Sequence, residues 1–115
     1  MAFVHSTQLR AVRGLTANDL PPIHTYLQGA VYAWVKDRRA QVFALRDLVG
    51  GANFDWSGTP LSALYEKHIR LGKAEAEAIK AAGRDAGWIL KSVLQADLRM
   101  FDRLQVGRSI GYRWI

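Results

Sequence analysis

The sequence predicts a mainly α fold, a compact bundle of four to five helices in a single domain, residues 1–115, with a minor β element near the termini. Three observations carry that expectation. Between Thr59 and Leu104, helix start signals, stop signals and apolar periodicity agree with one another. From Ile23 to Val35 a second apolar stripe recurs at helical spacing. In the tail, Ile110, Tyr112 and Trp114 alternate with Gly111 and Arg113, which is the period of a strand. A chain of 115 residues, half of them hydrophobic, is large enough to bury one core.

Taken in order, residues 3–13 hold Phe3, Val4, Leu9 and Val12 among small polar residues and admit a short strand. Asn18-Asp19-Leu20-Pro21-Pro22 marks a helix start, because an Asx cap followed by proline suits a first turn. The helix that follows carries Tyr26, Leu27, Ala30, Val31, Trp34 and Val35 on its apolar side and fades at Lys36-Asp37-Arg38-Arg39. Beyond residue 40 two readings compete. Val42, Leu45 and Val49 could extend the same helix to Gly50, or Val42-Phe43-Ala44 is a short strand leading into a helical turn at Arg46 to Val49. The break is preferred, since a helix of about 28 residues is long for a small domain and Val42-Phe43 favours strand. Gly50 to Gly58 reads as a loop whose aromatics, Phe54 and Trp56, are either pinned into the core or presented to a ligand, and pinning is preferred.

Thr59-Pro60 opens the next helix, with threonine as cap and proline in the first turn; Leu61, Leu64, Tyr65, His68 and Ile69 share a face, and Gly72 stops it. Ala74 to Ala82 is strong helix former, and Gly83 offers the left-handed residue that lets a chain leave a helix. Asp85 would then cap a long helix whose apolar face is Leu90, Val93, Leu94, Leu98, Phe101 and Leu104. The tail strand is expected to pair with the N-terminal segment.

The chain has no cysteine, which excludes disulfides and thiolate metal sites. No apolar run approaches the roughly 18 residues of a membrane span, and Met-Ala-Phe-Val-His does not start a signal peptide, so a soluble cytoplasmic protein without a membrane partner is expected. No His-Glu-x-x-His, glycine-rich phosphate loop or nucleophile elbow is present. An enzyme, a cofactor and a metal are therefore not expected. His68 reads as a helix-face histidine with a hydrogen-bond partner, although Asp47 or Asp55 beside it would make an acid-base pair. The net charge of +6 favours polyanionic partners. Its excess lies mid-chain and in the C-terminal tail.

The string Ala78-Ile79-Lys80-Ala81-Ala82-Gly83-Arg84-Asp85-Ala86-Gly87-Trp88-Ile89-Leu90-Lys91 resembles the helix-turn-helix core of bacterial repressors of the Lac and Tet types. In those families a short helix ends at Ala-Gly, a polar residue caps a second helix, and an isoleucine or valine about six residues after the glycine locks the two. Ala82-Gly83, Asp85 and Ile89 match those positions. The resemblance, over residues 78–94, implies that residues 85–91 begin a recognition helix facing the major groove of duplex DNA. Arg84, Ile79 and Trp88 depart from it, standing where an apolar residue, a small alanine and a short threonine are usual. A winged-helix core is the alternative, with Val42 to Ala44 as strand, Arg46 to Val49 as short helix and Pro60 to Leu71 as reader.

The function expected is DNA binding through phosphate contacts. The residues that would carry it are Lys36, Arg38, Arg39 and Arg46 mid-chain, Arg84, Trp88, Lys91 and Arg99 along the long helix, and Arg108 and Arg113 in the tail. Trp88, Lys91, Gln95, Arg99 and Asp102 would share one helix face. The second expectation is a protein interaction module or homodimer built on an apolar face. The two differ in what they demand: DNA binding needs the basic groups to converge, and interaction needs a contiguous exposed apolar patch.

Overall fold

A computed structural model of the chain describes residues 2–3, 9, 11–49 and 55–115. The first helix, α1 (Leu20–Val35), starts where the Asx-Pro signal places it, with proline in its first turn. The Asp19 carboxylate makes no side-chain cap to α1; it accepts instead from the Thr16 N–H at 3.0 Å, which holds that carboxyl below its ordinary range. Ile23, Leu27, Val31 and Val35 follow at steps of four and are all buried. That stripe ends at Val35, and the chain breaks there rather than continuing to residue 50.

After α1 the backbone turns through Ala40, a non-glycine residue at φ +67°. Phe43 exchanges two backbone hydrogen bonds with Tyr112, at 2.8 and 2.7 Å, as an isolated antiparallel bridge. The short helix α2 (Leu45–Val49) follows, its first turn held by Asp47, whose carboxylate accepts from the Ala44 N–H. The expected strand at 42–44 is thus one bridge, and the expected helical turn is α2. Phe54 lies outside the described residues; Trp56 packs half-buried against the core.

Helix α3 (Ser62–Arg70) begins three residues after Thr59. Thr59 does not cap it: its hydroxyl donates to the Trp56 carbonyl. Gly72, at φ +88°, ends α3 as expected, with Lys73 N–H donating to the His68 carbonyl and Gly72 N–H to that of Ile69.

Helix α4 (Glu75–Ala96) is continuous for 22 residues and overturns two expectations. Gly83 does not interrupt it, so residues 78–94 hold no turn between two helices and the helix-turn-helix core is not there. The reason is the register. Ala78, Ala82, Ala86, Ile89, Leu90 and Val93 are all buried, so one apolar stripe runs through the glycine, and its burial outweighs a local cost of about 1 kcal/mol. Asp85 accordingly sits mid-helix instead of capping one. Nor does α4 reach Leu104. It stops at Asp97, whose buried carboxylate accepts from Arg99 N–H and guanidinium and from the Gln28 amide on α1. Phe101 and Leu104 belong to a strand, so their helical spacing is a coincidence of sequence.

Strands β1 (Ala2–Phe3), β2 (Phe101–Val106) and β3 (Ser109–Trp114) form an antiparallel sheet in the order β1-β2-β3. The tail strand therefore pairs with β2, and the N-terminal segment pairs with β2 on its other edge. Gly107, at φ +60° in the first position of a two-residue turn, joins β2 to β3 as a type II′ hairpin requires. Phe101 and Tyr112 carry the sheet into the core beside Phe43, where α1, α3 and α4 contribute their buried faces. About half of the chain is helical, with four helices among the described residues, and none of them is long and apolar enough to cross a membrane.

Candidate functional site

Three elements enclose a cleft on one side of α4. Its floor is the α4 face bearing Gly83, Arg84, Gly87, Trp88 and Lys91; one wall is the start of α2 with Arg46; the other is the β2–β3 hairpin with Arg103, Arg108, Ser109 and Tyr112. Its volume is about 840 Å³. Arg46, Arg84, Lys91, Arg103 and Arg108 line it, and its described lining holds no carboxylate. Arg46 donates to the Ser109 hydroxyl at 2.9 Å, which ties the two walls together at the rim. Arg84, Arg103 and Arg108 make no ion pair among the described residues.

Tyr112 reaches this cleft from the sheet. Burial pushes its phenol above the ordinary value, while the nearby Arg103 guanidinium pulls the other way. The two are cross-strand partners, so they project from the same face of the hairpin. The hydroxyl therefore stays protonated at neutral pH and able to donate.

Of the ten residues expected to touch nucleic acid, Arg46, Arg84, Trp88, Lys91 and Arg108 come together here. The others do not. Arg38 lies 4.2 Å over the Trp34 ring, Arg39 4.7 Å over Trp114, and Arg99 between Tyr32 and Trp114 at 5.1 and 5.3 Å. Arg99 also pairs with Asp97, and Arg113 with Asp102 across the hairpin. Lys36 is exposed at the end of α1. The stripe from Trp88 to Asp102 dissolves, because Arg99 and Asp102 lie past the end of α4.

Sequence reasoning missed Arg103, Tyr112 and the two glycines of the floor. Arg103 was hidden because residues 101–104 look helical; once they are a strand, the hairpin register sets Arg103 against Tyr112. No signal in the sequence marks the glycines, since Gly83 reads as a stop.

The side of α4 that bears Asp85 is closed. Asp85, buried, accepts from Lys67 Nζ at 2.5 Å and from His68 Nε2 at 2.7 Å; Lys67 donates as well to the Arg13 carbonyl at 2.7 Å. Lys73 Nζ lies 2.9 Å from His68 Nδ1. An ammonium can only donate, so Nδ1 accepts and the ring proton sits on Nε2, facing the carboxylate. The lysine stem passes beneath Gly14, where a Cβ would stand 2.8 Å from Lys67 Cδ. His68 thus has its partner, but the partner is Asp85. Asp47 caps α2, and Asp55 accepts from the Ser57 N–H, which holds its carboxyl low.

A second concavity of about 670 Å³ lies between α3 and the start of α4, lined by Asp55, Glu66, Glu75, Trp56 and Tyr65 with no basic residue in its described lining. The two clefts meet at Gly83 and carry opposite charge. Three of the exposed large apolar side chains, Leu71, Ile79 and Leu98, come from separate places: the end of α3, the first half of α4 and the α4–β2 turn. Among the described residues no group of three or more histidine, aspartate or glutamate side chains is placed to hold a metal ion. No protein-family model, no curated protein and no solved structure matches this chain.

Proposed function

We propose that this protein binds nucleic acid, with the backbone phosphates held in the basic cleft by Arg46, Arg84, Lys91, Arg103 and Arg108. One observation carries the reading. Five cations delivered by α2, α4, β2 and the hairpin turn face a single concavity without a carboxylate in its described lining. Like charges brought together repel, so a folded chain that gathers them gains from a polyanion placed among them. Guanidinium groups, four of the five here, also suit phosphate oxygens through paired N–H donors. The acidic concavity across α4 repels the same ligand, which confines it to one side.

The test is fluorescence anisotropy with labelled oligonucleotides, single- and double-stranded, at about 50 and 200 mM salt. Five phosphate contacts imply a log–log salt slope of roughly 3.5 to 4.5, hence an affinity loss on the order of a hundredfold across that range. Replacing Arg84, Arg103 and Arg108 together by alanine lowers that slope by roughly 2 to 3. Failure of the wild-type protein to bind either form at the lower salt sinks the proposal.

A further inference from the structure

The helix that builds the cleft floor carries two glycines that neither a turn nor close packing requires. Gly83 and Gly87 both lie inside α4 at ordinary helical φ, so neither is needed for a turn. A Cβ added at either would meet nothing within 4 Å, so neither is needed for close packing. Glycine is the poorest helix former after proline, and two of them one turn apart weaken the longest helix of the molecule. What their missing side chains do is leave the floor open, one residue from the half-buried indole of Trp88.

The shape of the site decides what can use that space. A helix reads duplex DNA by protruding into a major groove about 12 Å wide. Here the face of α4 bearing Arg84, Trp88 and Lys91 is the bottom of a concavity walled by α2 and the hairpin. A duplex is a stiff rod with its bases stacked inside, so it can touch the exposed arginines, Arg46, Arg84 and Arg108, but cannot lay a base on the half-buried Trp88. A single strand bends, and its unpaired bases can be laid on a floor and stacked against an aromatic ring.

We infer that the cleft takes a single-stranded polynucleotide, whose phosphates run along the five cations while a base lies over the Gly83–Gly87 floor beside Trp88. This deepens the nucleic-acid reading and rests on it. The stacked base contributes through its π-face, so the preference is for strandedness and not for sequence.

The experiment uses the full chain and 20-nucleotide oligo-dT and oligo-U probes against a duplex of equal length, at about 50 mM salt, with wild type, Gly87→Leu, Trp88→Leu and Gly29→Leu. Gly29 is also a helical glycine with open space around it, on α1 and outside the cleft, so its variant controls for placing leucine at such a position. At least one single-stranded probe binds tenfold or more tighter than duplex. Gly87→Leu and Trp88→Leu each weaken single-strand binding on the order of fivefold or more, while Gly29→Leu does not, and thermal melts show all variants folded. Tighter binding of the duplex, or single-strand binding unmoved by Gly87→Leu, overturns the inference while leaving phosphate binding intact. Inorganic polyphosphate competing as well as the oligonucleotide assigns the site to charge alone and overturns it too. Silence of every probe overturns the nucleic-acid reading with it.

Discussion

Arg84 and Asp85 are neighbours on α4 and face opposite worlds. Asp85 turns into the protein, where Lys67 and His68 take its oxygen and segment 11–15 passes over the cluster. Arg84 turns into a cleft that it shares with four other cations and no described carboxylate. On the closed side the buried Asp85 carboxylate and Lys67 ammonium are matched within hydrogen-bond distance, because a buried unpaired charge costs several kcal/mol. On the open side no such matching is required of groups that reach solvent, and Arg84, Arg103 and Arg108 make no ion pair among the described residues. The difference separates polar groups that hold the fold from polar groups left for something else.

The largest expected effect breaks the closed side. Asp85→Ala leaves the Lys67 ammonium buried without its counter-charge and costs about 3–5 kcal/mol, lowering the melting temperature by roughly 10–20 °C for a chain of this size. Adding Lys67→Met removes the stranded charge and recovers part of that loss. Affinity for an oligonucleotide, per folded molecule, stays at the wild-type value. Reduced affinity in a variant shown by circular dichroism to be folded would mean that the two sides of α4 are not separate.

Next in size is the open side. Replacing Arg84, Arg103 and Arg108 by alanine removes three of the cleft's five cations and weakens binding at low salt by tenfold or more, about 1.4 kcal/mol or beyond. Thermal stability should not fall, since none of the three is ion-paired among the described residues and their mutual repulsion is relieved. A lower melting point would place these arginines with the structural set.

Arg99 tests that set directly. Its guanidinium lies over Tyr32 and Trp114 and pairs with Asp97, the residue that ends α4. Arg99→Ala should cost about 1–2 kcal/mol in a urea melt, through lost ring contacts and a buried carboxylate left with fewer donors. The salt slope of oligonucleotide binding should not change.

These two groups of arginine look alike in a sequence, and that is where sequence reading stopped. The helices at Ile23–Val35 and after Pro60 were legible because their start signals, and at Gly72 a stop, coincide with apolar periodicity. The tail strand showed itself by alternation. Gly83 misled because a stop signal is local, whereas the stripe from Ala78 to Val93 that overrides it is buried only in the assembled bundle. Leu98, Phe101 and Leu104 misled in the other direction, since a spacing of three fits a helix and the end of α4 is set by a capping carboxylate. Half of the candidate binding residues converge because charge density hints at location, but whether an arginine meets an aromatic ring or a cleft depends on the tertiary neighbours, Trp34, Tyr32 and Trp114.

The smallest expected effect comes from backbone placed under strain between the two regions. Ala40 sits at φ +67°, donating its N–H to the Trp114 carbonyl, in the turn that carries the chain from α1 to the Phe43 bridge and on to the α2 wall of the cleft. A left-handed alanine costs about 1–2 kcal/mol because its Cβ crowds the following carbonyl. Glycine relieves that crowding but loses more freedom on folding, by about 0.4–1 kcal/mol. The balance for Ala40→Gly is a gain of about 0.5–1 kcal/mol, read in a denaturant melt as a higher midpoint at unchanged slope. Ala40 is exposed and outside the cleft lining, so oligonucleotide affinity should hold. If affinity rose with stability, the α2 wall would be moving in the native protein, and the open side would owe its shape to this turn as well as to α4.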